Sequence, residues 1–281
     1  MPKVVITGVS GYLGKALCQT FLRHNWQVVG LSRNPAPDLQ DPNYEWRRWE
    51  LGAPLPTGAL DLDCAILAAY DYSCRATEAS WARNVEGSLL FAASVPPQSK
   101  LIYISSIAAQ DGARQQYAQQ KLAVERGIRH RGLSVRPGLI VSDPPGGMVA
   151  KLANLPHLPI LPVPAARAQQ YLVELDFLCE RLFQIASGTN ATGEVITIVS
   201  SGPITFANLL QDRLPGLKLP LAIPWRPVWA MLWAMEKIGL RPPLSSDSLL
   251  GLATTKYPHI AVSGDISPAQ LPLVEESSHT L

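Results

Sequence analysis

The chain has 281 residues, of which 47% are hydrophobic, and its formal net charge is +2. A chain of this length buries a substantial core, either as one large domain or as one domain with a smaller lobe. Its lysines and arginines are scattered and form no basic stripe, so the pattern typical of nucleic-acid-binding proteins is excluded.

Strand-like and helix-like runs alternate along the chain. In order, they are the strand KVVITG, the helix LGKALCQTFLRHN, the strands WQVVGLS and DCAILAAY, a helix around WARNVEGSLLFAAS, the strand KLIYISS, a helix from Tyr117, and the strands LSVRPGLIV and EVITIVS. Such alternation implies crossover connections, and it predicts an α/β fold whose parallel sheet is covered on both faces. The proline-rich run DPPGGMVAKLANLPHLPILPVP and the mostly helical part after Ser201 predict a second, smaller lobe.

A glycine-rich turn, TGVSGYLG, follows the first predicted strand and opens the first predicted helix. Glycines at this place permit a tight turn and a close approach of the backbone to a pyrophosphate, while the helix N-terminus offers free amides. The alternative is a turn of the same composition that binds nothing. The residues predicted to contact a dinucleotide here are Gly8, Ser10, Gly11, Tyr12, Leu13 and Gly14.

The end of the second strand bears on the choice of nicotinamide cofactor. A carboxylate there would accept hydrogen bonds from the adenosine ribose, but this chain has Ser32 followed by Arg33. Because a guanidinium pairs well with a 2′-phosphate, the sequence favours NADP(H), with NAD(H) as the alternative if Arg33 is only a solvated loop residue.

Serine, tyrosine and lysine follow one another in ISSIAAQDGARQQYAQQK. Tyr117 and Lys121 are four residues apart, so on a helix their side chains share one face, and Ser106 ends a predicted strand at the ligand-binding edge of the sheet. A nearby ammonium favours the phenolate of a tyrosine, so Tyr117 is a candidate proton donor or acceptor. The alternative is a strand end followed by an ordinary amphipathic helix.

These motifs together resemble the extended or atypical branch of the short-chain dehydrogenase/reductase superfamily, known as NAD-dependent epimerase/dehydratases. TGVSGYLG, DCAILAA, WARNVEGSLL, YISS, YAQQK and VRPGLIV occur in the family's order. The resemblance implies a Rossmann-type domain in which Ser106 orients the substrate oxygen, Tyr117 is the acid/base, and Lys121 holds the nicotinamide ribose and lowers the tyrosine pKa. It further implies cofactor contacts at Glu50, Leu51, Ala68, Asn84, Pro137 and Leu139.

On this resemblance, residues 1–145 plus 165–200 are expected to form the dinucleotide-binding domain. Residues 146–164 plus 201–281 are then the substrate-binding lobe. Gln110-Asp111 replaces the Tyr-Gly pair of many members, and Leu139 stands where nucleotide-sugar enzymes often have asparagine. RPGLI resembles members that act on lipid, steroid, quinone or small carbonyl substrates, and also the Rossmann accessory subunit of respiratory complex I.

The predicted lobe is rich in apolar residues and poor in cations. Trp225, Trp229, Leu232 and Trp233 predict either an apolar wall of the substrate site or, as is more common for tryptophan, part of the core. Only nine residues lie between Arg226 and Glu236, too few for the ~20 that span a bilayer, so no transmembrane segment is expected. The lobe's cations are Lys151, Arg167, Lys218, Arg226, Lys237 and Arg241.

Three function classes remain. The first is an NADP(H)-dependent reductase or dehydrogenase acting on an apolar carbonyl or alcohol; the second is a nucleotide-sugar epimerase or dehydratase; the third is a dinucleotide-binding protein used in assembly or redox sensing. Leu139 disfavours the second, and the complete Ser106, Tyr117 and Lys121 set disfavours the third. The five histidines predict no metal site, and the scattered cysteines (Cys18, Cys64, Cys74 and Cys179) and the lack of a signal peptide favour the cytoplasm.

Overall fold

Seven parallel strands form the central sheet of the chain, which we describe from a computed structural model. The structure describes residues 1–36, 38–59, 61–73, 77–144, 146–147, 150, 160–188, 193–213, 219–240, 242 and 244–257. Cys74, Lys151, Lys218 and Arg241 lie outside the described residues.

The first half of the chain alternates between strands and helices as the sequence predicts, except that an additional strand, β3, follows β2. Its strands are β1 (Lys3–Thr7), β2 (Gln27–Ser32), β3 (Tyr44–Arg48), β4 (Cys64–Leu67), β5 (Lys100–Ile104) and β6 (Leu133–Pro137). Its helices are α1 (Tyr12–Arg23), α2 (Thr77–Trp81), a π-helical turn (Ala82–Glu86), α3 (Gly87–Ser94) and α4 (Gln116–Ile128).

The second half contains β7 (Leu139–Val141), β8 (Ile160–Pro164), β9 (Gln169–Glu174), α5 (Leu175–Ser187) and β10 (Val195–Ile198). These are followed by β11 (Ser201–Thr205), α6 (Phe206–Arg213), β12 (Leu219–Ile223), α7 (Trp225–Lys237) and α8 (Ser246–Thr254).

The strand order of the central sheet is β10-β6-β5-β4-β1-β2-β3. The chain leaves β1 in one direction and returns at β4 to continue in the other, so the order reverses between β1 and β4. In open α/β sheets ligands bind beyond the carboxyl ends of the strands at this switch point. The Rossmann-like α/β fold predicted from the sequence is therefore confirmed.

Alternating side chains of the strands fill two separate cores, one on each face of the sheet. Val4 and Ile6 of β1 pack with α1 and α5, whereas Val5 between them packs with α3 and α4. All three side chains are fully buried, which explains why the parallel strands have nearly continuous apolar sequences.

The run LSVRPGLIV is not one strand, as the sequence suggested, but two strands in different sheets. β6 belongs to the central sheet, whereas β7 pairs with β9 in a three-stranded sheet. Gly138 lies at the change, where a Cβ would come within 2.6 Å of the Tyr171 carbonyl oxygen. This close backbone approach, which only glycine permits, lets the chain pass from one sheet to the other.

Two further strands, β11 and β12, lie in the part that the sequence predicts as mostly helical. β12 pairs only with β8 among the described residues, and both carry prolines. Proline cannot donate a ladder hydrogen bond, so such runs resemble loops in sequence, yet a two-stranded sheet has enough unpaired positions to accept them.

Candidate active site at the carboxyl edge of the sheet

A cavity of about 1090 Å³ runs along the carboxyl edge of the central sheet. It passes the ends of β1 and β4, where the strand order reverses. The predicted site residues that line it are Gly8, Ser10, Gly11, Tyr12, Leu13, Gly14, Ser32, Arg33, Glu50, Leu51, Ala68, Ser106, Tyr117, Lys121, Pro137 and Leu139. The fold thus brings together residues spread over more than 130 positions of the chain.

The glycine-rich turn is packed too closely for other residues. Gly8 has a φ of +77°, in the left-handed region, and a Cβ there would lie 3.0 Å from Ala69 Cα. A Cβ on Gly14 would lie 2.2 Å from the carbonyl oxygen of Gly8. Helix α1 begins directly after Gly11 without a side-chain cap, so its first amides are available to an anion. This geometry fits a dinucleotide pyrophosphate.

Asn84 is the one predicted site residue that does not line the cavity. Its amide lies behind the wall, where Oδ1 accepts a hydrogen bond from the Asp71 N–H at 2.8 Å and Nδ2 donates to the Asp71 carbonyl oxygen at 3.1 Å. Nδ2 also lies 3.3 Å from the Ser80 hydroxyl oxygen. In this structure Asn84 fixes the loop after β4.

The hydroxyl of Ser32 at the end of β2 is already bonded within the protein. It donates to the Asn34 carbonyl oxygen at 2.5 Å and accepts from the Trp46 indole N–H at 3.0 Å. Arg33 instead extends toward Asp71, with its Nη1 at 3.7 Å from Asp71 Oδ2. Asp71 lines the cavity and is 6% exposed. Sequence analysis missed it, because nothing in its local pattern marks a carboxylate four residues beyond a strand.

Tyr117 lies near Ser106 and Tyr72, and the side chains of both influence the pKa of its hydroxyl. Burial raises the pKa of Tyr117 well above its usual value, neighbouring Tyr72 and Tyr103 add to the rise, and the Ser106 side chain opposes it. The pKa of Tyr117 is thus raised, whereas the sequence analysis expected Lys121 to lower it. At neutral pH the hydroxyl therefore carries its proton and is able to donate it.

Lys121 is 3% exposed and sits among aromatic rings. Its Nζ donates to the Ile104 carbonyl oxygen at 2.7 Å and lies 4.8 Å from the ring centroid of Tyr103 and 5.8 Å from that of Tyr117. Burial lowers the pKa of Lys121 to about 7, while the Glu125 carboxylate opposes the change.

Ser105, next to Ser106, has a hydroxyl that is buried and has no hydrogen-bond partner among the described residues. The side chain is 2% exposed and lines the cavity. A buried hydroxyl without a partner costs about 1–3 kcal/mol, so a ligand that bonded it would recover that energy.

Asp247 of α8 reaches the N-terminus of α4 from the C-terminal part of the chain. Its Oδ1 accepts the Gln116 N–H at 2.7 Å and its Oδ2 accepts the Tyr117 N–H at 3.2 Å. Gln115, the residue before α4, provides no side-chain cap, so Asp247 does this from a distant segment. Burial raises the pKa of Asp247, and the two N–H donors oppose the rise. The sequence offered no sign of a cap 131 residues away.

The far wall of the cavity comes from the C-terminal part of the chain. Trp229 and Trp233 line it with their ring centroids 6.4 Å apart, and Trp233 is 47% exposed. Trp225 and Leu232 do not line the cavity, and Leu232 is buried. Apolar side chains predominate on this wall, namely Leu139, Ile140, Phe206, Trp229, Trp233, Pro242, Leu244, Leu250, Leu252 and Tyr257.

Within the described residues, no group of three or more histidine, cysteine, aspartate or glutamate side chains is arranged to hold a metal ion. The same part of the chain has no helix whose length and apolar character would let it cross a membrane.

Comparison with known proteins finds a family model that matches part of the chain. The model of the NAD dependent epimerase/dehydratase family matches residues 4–134. No curated protein sequence matches the chain significantly.

Solved structures share the fold at low sequence identity. The human epimerase family protein SDR39U1 (isoform 2) with NADPH is 19% identical, with a TM-score of 0.61 over 89% of this chain and 99% of its own. The Bordetella bronchiseptica enzyme WbmH in complex with NAD⁺ is 15% identical, with a TM-score of 0.65 over 90% and 97%. The dTDP-glucose 4,6-dehydratase of Bacillus anthracis in complex with NAD is 13% identical, with a TM-score of 0.61 over 90% and 96%.

The matched segment carries the glycine-rich turn, Ser106, Tyr117 and Lys121, and the solved structures share the fold over 89–90% of this chain. Residues 4–134 are therefore similar to the NAD dependent epimerase/dehydratase family, and the solved structures show the same fold.

Proposed function

We propose that the protein is an NADP(H)-dependent oxidoreductase that acts on an apolar carbonyl or alcohol through Ser106, Tyr117 and Lys121. The observation that carries the proposal is that Ser106, Tyr117 and Lys121 line one cavity, with a glycine-rich turn at one end and an apolar wall at the other. In this proposal residues 1–145 plus 165–200 bind the dinucleotide, and residues 146–164 plus 201–281 bind the substrate.

Bound NADPH would supply the hydride to the carbonyl carbon. Ser106 orients the carbonyl oxygen, and Tyr117 donates its proton to that oxygen as the alcohol forms. Lys121 lies on the same helix face as Tyr117 and holds positive charge beside the phenolate that remains. In the direction of oxidation the same groups act in reverse.

The preference for NADP(H) rests on the end of β2. Ser32 cannot replace the carboxylate that usually binds the ribose hydroxyls, because its hydroxyl is used within the protein. Arg33 is 57% exposed on its side chain and lines the cavity beside it. A guanidinium at this position is suited to a 2′-phosphate.

The alternative substrate class is a nucleotide sugar, which the likeness to dTDP-glucose 4,6-dehydratase brings into consideration. The charges of the lobe residues that line the cavity disfavour a nucleotide sugar. Among the described lobe residues that line the cavity, Lys237 is the only lysine or arginine, whereas Glu236 and Asp247 are both acidic. A diphosphate would be poorly compensated there, and each buried polar group left unpaired costs about 1–3 kcal/mol. An apolar substrate gains about 25 cal/mol per Å² of buried nonpolar surface.

A non-catalytic dinucleotide-binding role is the other alternative. It requires the glycine-rich turn but gives no reason for a serine, a tyrosine and a buried lysine to line the same cavity. The Ser106, Tyr117 and Lys121 arrangement therefore favours turnover.

The experiment is a turnover and binding panel. Aromatic and aliphatic ketones and aldehydes are supplied with NADPH, and its oxidation is followed, with Tyr117→Phe as the matched inactive control. UDP- and dTDP-sugars are tested by thermal shift with saturating NADPH. We expect consumption of apolar carbonyls and no stabilisation by nucleotide sugars. A clear thermal shift from a nucleotide diphosphate would restore the epimerase or dehydratase assignment.

A further inference from the structure

Two arginines meet at one buried carboxylate beside the end of β2. Arg33 Nη1 lies 3.7 Å from Asp71 Oδ2, and Arg83 Nη1 lies 3.4 Å from the same oxygen. Arg83 Nη1 is also 3.8 Å from Glu50 Oε2. All four residues line the large cavity. Both arginines therefore approach the same oxygen atom of Asp71.

The carboxylate between them is held in place by the loop after β4. Asp71 Oδ1 accepts hydrogen bonds from the Ser73 N–H at 2.9 Å and the Ser73 hydroxyl at 2.5 Å. Although burial acts to raise the pKa of Asp71, these hydrogen bonds and the two guanidinium groups keep it below its usual value. Asp71 is therefore ionised at neutral pH and holds both arginines at the cavity wall.

Two guanidinium groups and two carboxylates meet at this wall, so their formal charges balance. Asp71 is buried, whereas the Glu50 side chain, at 3.8 Å from Arg83, is 63% exposed and its charge is screened by solvent. Within the described part of the chain, both arginines make only these long ion pairs, and their side chains are 57% and 40% exposed. Ion pairs of this kind are weak, so their N–H donors remain available to an anion.

Arg83 owes its position to the π-helical turn, Ala82–Glu86. Such turns are rare and often occur at functional sites. Asn84 of the same turn holds the Asp71 backbone, and Gly87 packs so closely that a Cβ would lie 2.6 Å from the Gly52 nitrogen. The turn therefore holds Arg83 between Glu50, near which the adenine is expected, and Arg33.

We propose that Arg83 is a second arginine of the 2′-phosphate site and determines, together with Arg33, the preference for NADP(H) over NAD(H). A phosphate monoester next to the ribose would contact both guanidinium groups and replace the long pairs with charge-assisted hydrogen bonds. This inference rests on the proposed NADP(H) dependence. In the competing arrangement, Asp71 accepts a hydrogen bond from a ribose hydroxyl of NAD(H). That arrangement predicts that Asp71→Asn weakens NADH binding.

The test is calorimetric titration of the purified full-length chain with NADPH, NADH, 2′,5′-ADP and 5′-AMP. We expect Arg83→Ala to weaken NADPH and 2′,5′-ADP about ten- to a hundredfold, the typical value of a charge-assisted pair, and to leave NADH and 5′-AMP unchanged. Arg83→Lys keeps the charge but loses the planar fork, so its loss is smaller. Arg23→Ala is the matched control, because Arg23 also forms a long, exposed ion pair, with Glu180 at 3.6 Å, away from the cavity.

The results separate this inference from the proposed function. Equal wild-type affinities for NADPH and NADH would overturn both. A wild-type preference for NADPH that Arg83→Ala and Arg83→Lys leave intact would overturn the role of Arg83 alone, as would equal losses for all four ligands. If Asp71→Asn weakens NADH binding while Arg83→Ala leaves all four affinities unchanged, Asp71 binds the ribose hydroxyls and Arg83 has no role in cofactor choice.

Discussion

The two ends of the cavity differ in how their residues are held. At the dinucleotide end, the glycine-rich turn, Ser32 and Lys121 belong to the central sheet and its covering helices, where side chains are buried and glycines are packed against backbone. At the substrate end, α7 has a single buried residue, Leu232, and Trp233 is nearly half exposed. Under the proposed function, the chemistry belongs to the closely packed end, called here the rigid end, whereas the other end selects the substrate and supports α4 through Asp247.

The largest expected effect is at the rigid end. Tyr117→Phe removes the hydroxyl that donates the proton, so we expect turnover to fall by ~10²–10⁴-fold while dinucleotide affinity stays nearly the same. Lys121→Ala is expected to damage both. The measurement is the steady-state rate with an active ketone alongside NADPH titration, and a Tyr117→Phe enzyme with a near-normal rate would move the proton transfer to another group.

Arg33→Ala probes whether cofactor choice also belongs to the rigid end. We expect NADPH affinity to fall about ten- to a hundredfold, because a charge-assisted pair with the 2′-phosphate is lost, and NADH affinity to stay constant. Direct titration measures both. Parallel losses for the two cofactors would mean that Arg33 supports the loop rather than the phosphate.

The two ends also differ in how much the sequence predicted. The glycine-rich turn, six strands of the central sheet and the shared helix face of Tyr117 and Lys121 follow from local periodicity and spacing, whereas β3 was not predicted from its periodicity. Asp71 and Asp247 were missed, because each acts through contacts between segments distant in the sequence. The break at Gly138 was missed for a similar reason, since its partner is a backbone carbonyl of Tyr171.

Asp247 joins the two ends, so its substitution tests how far they depend on each other. Asp247→Ala leaves the Gln116 and Tyr117 amides without their cap, and we expect the free energy of unfolding to fall by about 1–2 kcal/mol. Urea unfolding measures the change, with Asp212→Ala on the exposed face of α6 as the control. If both variants unfold alike, α4 does not need the distant cap.

The smallest effect concerns Lys121 and pH. Burial lowers its folded-state pKa to about 7, whereas the unfolded chain keeps the proton up to about pH 10.4. Between these values the unfolded state binds more protons, so raising the pH favours the folded state. We expect a gain of about 1 kcal/mol in unfolding free energy between pH 7 and 8, on top of the response of the other groups.

Lys121→Met is the control variant. We expect it to lack this gain and to be more stable than the wild type at pH 7, because no ammonium has to be buried. Glu125 keeps its bonds to Arg136 at 2.6 and 2.9 Å in both proteins, so the difference between their urea titrations at the two pH values isolates Lys121. Parallel pH responses of the two proteins would show that the lysine stays charged in the folded state, and that the rigid end tolerates a buried ammonium among its tyrosines.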